Sequence, residues 1–136
     1  MFFRQHWRTL LWALFILVIT GLPGDSFPKI TTFWEWLQPD KIVHVFVFAV
    51  LSFVILYDAR TQYLQSQQRY IIVIAAVVGT ALFGLLTEVL QHYVFIGRSG
   101  NVYDVIADCI GALTGWMLFD WAIRKKILVN SKSTAK

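Results

Sequence analysis

Charge is scarce in this chain. Only 15% of its 136 residues are Asp, Glu, Lys or Arg, while 57% are hydrophobic; an ordinary soluble domain carries about 25% charged residues. That balance argues against a soluble fold and for a small integral membrane protein with one domain, residues 1–136. Cysteine is nearly missing too. Cys109 stands alone, which excludes an intrachain disulfide and leaves the compartment unreadable from thiols. Zinc-type ligand spacing, a glycine-rich phosphate loop and internal repeats are all absent, so no metal or cofactor is expected from motif spacing. The net charge of +4 would point to nucleic acid only if it were gathered on a soluble surface. Here the basic residues are spread loop by loop, and no nucleic-acid partner is expected.

What the chain does have is a succession of uncharged runs. Thr9 to Gly24 carries no charge and follows Arg4 and Arg8. Its exit, I-T-G-L-P-G-D-S, offers no small-x-small cleavage site, so a retained first spanning helix is expected over about 8–23. A loop follows in which Phe33, Trp34, Trp36 and Leu37 suit the membrane–water interface. Pro39-Asp40-Lys41 opens a second helix, 41–57, with Asp40 suited to its N-cap and His44 as the one polar interruption. A single intramembrane histidine usually serves an inter-helix hydrogen bond. The polar stretch from Asp58 to Arg69 reads as a connection, and a third helix spans 70–92. At 1.5 Å per residue Glu88 falls roughly 27 Å from Tyr70, near the far edge of a hydrocarbon core about 30 Å thick. Glu88, Gln91 and His92 are read on one face. Ser99 or Asn101 can cap a fourth helix, 103–123, on which Asp104 and Asp108 stack four apart. Gly111 and Gly115 form a small-xxx-small pattern that lets a neighbouring helix approach. The basic tail, 124–136, is expected to be disordered.

The fold class is therefore all-α with four transmembrane helices. Nine basic residues (Arg4, Arg8, Arg60, Arg69, Arg124, Lys125, Lys126, Lys132, Lys136) fall on one side, against Lys29, Lys41 and Arg98 on the other. The positive-inside rule then makes both termini cytoplasmic. It also gathers Asp40, Lys41, Glu88, Gln91, Arg98 and Asp104 in one outer layer. His44 and Asp108 lie about 6 Å deeper, each from four residues of rise. Charged side chains at such depth are costly and mark a functional pocket by default. At least one of the four acids has no cationic partner, so it takes up a proton or holds a cation. The plainer reading is that Glu88 pairs with Arg98 as structural glue.

The motifs D-K-x-x-H (Asp40, Lys41, His44), E-x-x-Q (Glu88, Gln91), R-x5-D (Arg98, Asp104) and G-x-x-x-G (Gly111, Gly115) together resemble the VanZ-like family. The resemblance runs from the first helix to the end of the fourth. It departs at Asp108, where the family often has asparagine. It implies a multi-pass protein of the bacterial cytoplasmic membrane connected with tolerance of teicoplanin, a lipid-tailed glycopeptide. Three readings stand at this point. In the favoured one, Asp40, Lys41, His44, Glu88, Gln91, Arg98, Asp104 and Asp108 bind an amphiphile, either the antibiotic or a lipid-linked wall precursor. Phe33, Trp34 and Trp36 then meet the tail. In the second, Glu88 or His44 is the base of an intramembrane enzyme acting on a lipid-linked substrate, with the acids holding a metal. The third, weakest reading is an ion path. Membrane lipids are expected partners, and a homo-oligomer is left open.

Overall fold

The computed structural model describes residues 5–21, 39–94 and 101–133, with side chains outside the description at 39–40 and 126–133. The described residues are helical with short connections: α1 (Trp7–Gly21), α2 (Pro39–Asp58), α3 (Arg60–Gln65), α4 (Arg69–Tyr93) and α5 (Val102–Ser133). Lys41–Asp58, Arg69–Tyr93 and Val102–Lys125 are long and apolar enough to cross a membrane, and α1 is a shorter apolar helix. Many large apolar side chains on these helices, such as Phe46, Leu82, Tyr93 and Met117, face outward. The bundle is thus apolar around its outside and partly polar within, the inverse of a soluble one.

Cross-contacts set the directions. Thr9 meets Asp58 and Trp12 Nε1 donates to the Val47 carbonyl, so α1 runs antiparallel to α2. Phe83 lies beside Phe48, and Ala76 shares a cluster with Leu56, which makes α4 antiparallel to α2 as well. Asp108 meets His44, and Phe119 meets Phe53, so α5 runs parallel to α2. Ile16, Val47, Phe48 and Leu51 form one core cluster; Leu56, Tyr63, Ala76 and Phe119 form a second further along the bundle.

The α2–α5 seam is the tightest. A Cβ on Gly111 would stand 2.5 Å from the Val45 carbonyl oxygen, and one on Gly115 would overlap that of Ala49. The small-xxx-small pattern is therefore used inside the chain, letting two backbones touch where lipid gives no hydrophobic drive to associate.

Two expectations are corrected. The polar stretch after Asp58 contains a short helix, α3, because Tyr63 turns inward and packs edge-on against Phe119 at 5.3 Å. The fourth long helix does not end near Ile123 but continues to Ser133. Nothing between Trp116 and Ser133 is glycine or proline, and Arg124 donates to Asp120 one turn back at 2.6 Å. The aromatic stretch Phe33, Trp34 and Trp36 lies outside the described residues.

Candidate functional site

Three long helices deliver one unusual side chain each to the same end of the bundle. His44 on α2 is 7% exposed, Glu88 on α4 is 4% and Asp108 on α5 is fully buried. His44 Nδ1 and Asp108 Oδ1 are 2.8 Å apart, and Glu88 Oε1 lies 3.9 Å from the same nitrogen. One nitrogen or carboxylate oxygen from each of the three falls within 4.8 Å of the others. Beneath them is an apolar floor: the Phe48 ring lies nearly parallel to His44 at 6.2 Å and abuts Phe83.

Each member is held by its surroundings. Glu88 Oε2 accepts from the Asn101 backbone N–H at 2.9 Å, tying the end of α4 to the start of α5. Asn101 also caps α5, its side-chain oxygen accepting from the Tyr103 N–H at 3.0 Å. Asp108 fits because position 84 is glycine: a Cβ there would stand 2.6 Å from Asp108 Oδ2. Asp104, one turn before Asp108, is buried and lies 3.8 Å from Lys41 Nζ. Gln91 is 2% exposed, and its amide reaches the Thr20 carbonyl on α1 at 3.5 Å.

Six of the eight binding candidates, Lys41, His44, Glu88, Gln91, Asp104 and Asp108, therefore meet at one end. The side chain of Asp40, and Arg98 altogether, lie outside the described residues. His92 does not join them; it is exposed, its ring against Tyr93. At about 100° per residue, Gln91 and His92 sit on opposite edges of the stripe centred on Glu88, and only the Gln91 edge faces α1.

Within this cluster Glu88 Oε1 and Asp104 Oδ1 are buried and accept no hydrogen bond among the described residues. Such atoms are expensive inside a low-dielectric bundle, and native structures keep few without a reason. The opposite end contrasts with this. Asp58, whose side chain is fully buried, receives Arg8 Nη1 at 3.2 Å, the Thr9 N–H at 3.2 Å and Thr9 Oγ1 at 2.9 Å. Sequence reasoning passed over Asp58 because it opens a run of polar residues and looks like loop. Its one signal was its place at the end of an apolar run, on the same expected side as Arg8.

Taken together, these features define an all-helical membrane protein with a buried polar cluster between the ends of three helices. The chain belongs to the VanZ/LLP1 family, whose model matches residues 2–124. Comparison with curated proteins yields no match, and comparison with solved structures yields none.

Proposed function

We propose that this VanZ-like protein of the bacterial cytoplasmic membrane binds an amphiphile at the outer leaflet, through the polar cluster of α2, α4 and α5. The observation that carries the reading is the pair of buried carboxylate oxygens, Glu88 Oε1 and Asp104 Oδ1, that accept no hydrogen bond among the described residues. A purely structural cluster would satisfy them, whereas a binding site keeps acceptors for a ligand's donors. The nine-to-three division of basic residues supports four crossings with both termini cytoplasmic, so that this end faces outward. α1 supplies about 22 Å of apolar helix toward a fourth crossing.

The ligand class follows from the chemistry. Lys41 and Arg98 hold anionic groups. Glu88, Asp104, Asp108 and the Gln91 amide hold cationic, hydroxyl or amide groups. Phe33, Trp34 and Trp36 are residue types suited to contact with an acyl tail. A lipid-tailed glycopeptide such as teicoplanin, or a lipid-linked wall precursor, fits that description. Expression in a sensitive Gram-positive host tests it. Tolerance should rise more for teicoplanin than for vancomycin, which lacks the tail, and Glu88→Gln or Arg98→Ala should abolish the difference at unchanged protein level. Equal protection by wild type and Glu88→Gln would exclude the cluster as the agent.

A second reading, acid–base chemistry on a lipid-linked substrate, is favoured by the 2.8 Å contact between His44 and Asp108, since a carboxylate that orients an imidazole is a recurrent base arrangement. Turnover of such a substrate by purified protein, lost in His44→Gln, would establish it.

A further inference from the structure

The three buried side chains at the centre of the cluster have a composition and spacing that amphiphile binding does not require. We infer that His44, Glu88 and Asp108 bind a single divalent cation of the first transition row, with Zn2+ and Mn2+ the best suited. This goes beyond the binding reading above and does not depend on it.

Spacing is the first argument. Two ligands each about 2.1 Å from one cation, at ordinary coordination angles, stand about 3.0–3.4 Å apart. The observed separations from His44 Nδ1, 2.8 Å to Asp108 Oδ1 and 3.9 Å to Glu88 Oε1, bracket that range. The widest separation among the three atoms is within 4.8 Å, so side-chain movements of about 1 Å bring them around a common centre.

Orientation is the second. The Asn101 N–H holds Glu88 Oε2, so the other oxygen is turned toward His44, where it is buried and accepts no hydrogen bond among the described residues. A backbone donor on one carboxylate oxygen with the other aimed inward is how metal-binding carboxylates are positioned by their neighbours. Asp108 is seated by the missing side chain at Gly84.

Charge is the third. With both carboxylates ionised beside a neutral imidazole, the trio carries two negative charges, which one divalent cation balances. Protonating the imidazole would balance only one. Lys41 stands against Asp104, one turn further out. One nitrogen and two oxygens suit Zn2+ or Mn2+, whereas Ca2+ takes six to eight oxygens and Mg2+ keeps several of its waters. The spacing of the ligands along the chain, at 44, 88 and 108, matches no local metal motif, because the fold alone brings them together.

Full-length protein purified in detergent, stripped with a chelator and dialysed against Zn2+ or Mn2+, tests the site by elemental analysis. About one ion per chain is expected. Glu88→Gln and Asp108→Asn should each weaken binding at least tenfold, and Asp120→Asn, at an ion pair on the far part of α5, should leave it unchanged. A His44→Cys variant in a Cys109→Ala background, loaded with Co2+, should show a near-ultraviolet thiolate-to-metal band that Cys109→Ala alone lacks. That band identifies the ligand directly even if a carboxylate variant fails to fold. Wild-type protein with no stoichiometric ion, binding unchanged in well-folded Glu88→Gln, or no band in the cysteine variant would each overturn the assignment. Antibiotic tolerance without a bound ion would remove this site and keep the amphiphile reading. A bound ion without tolerance would do the reverse.

Discussion

The two ends of this bundle each bury carboxylate, and they treat it in opposite ways. At one end Asp58 is saturated: a guanidinium, a backbone N–H and a hydroxyl all donate to it. At the other, Glu88 Oε1 and Asp104 Oδ1 are buried and accept no hydrogen bond among the described residues, with Lys41 Nζ no nearer than 3.8 Å to Asp104. The lesson is that burial alone does not mark a functional acid in a membrane helix. What separates staple from site is whether the protein itself supplies the donors.

This contrast can be broken or sharpened by substitution, beginning with the framework that both ends share. Gly115→Val should be the most damaging change, because the new side chain meets the Ala49 carbonyl, which has no rotamer to move. A loss of about 3 kcal/mol, or failure to accumulate, is expected from thermal unfolding in detergent. Asp58→Ala comes next. It strands two Thr9 donors and removes the partner of a half-exposed arginine, so about 2–3 kcal/mol should be lost, while Arg8→Gln should cost less. Asn101→Ala removes the side-chain cap of α5 and should cost about 1 kcal/mol, leaving the backbone donor to Glu88 in place. Glu88→Gln should be the mildest, within about 1 kcal/mol of wild type in either direction. The amide oxygen still accepts from Asn101, and a buried charge disappears. If Glu88→Gln destabilises as much as Asp58→Ala, the two ends are both staples.

Much of this architecture was legible in the sequence, for a physical reason. In hydrocarbon a spanning helix has to be a long uncharged run, so α2, α4 and most of α5 announce themselves between Lys41 and Arg124. Glu88, Asp104 and Asp108 stood out by the same logic, being costly where they lie. Their shared depth implied that Glu88 would come within reach of a polar neighbour, as it does of His44 at 3.9 Å, but the individual pairings did not show. That His44 meets Asp108, or that the Asn101 backbone holds Glu88, depends on helix rotation and on the room left by Gly84, which no spacing rule encodes. His92 shows the same limit. It shares a stripe with Glu88, but only the neighbouring helices decide which edge of a stripe is buried. α3 went unseen because one inward tyrosine in a polar run gives no period.

The central claim is that the Glu88 end is built to bind and the Asp58 end to hold. The most direct measurement is teicoplanin tolerance of cells carrying wild type or Glu88→Gln at matched membrane levels, with unfolding of the two purified proteins recorded in parallel. The account predicts that tolerance falls to the level of the empty host while the unfolding temperature stays within a few degrees. Tolerance kept by the variant, or lost only together with the fold, would contradict it.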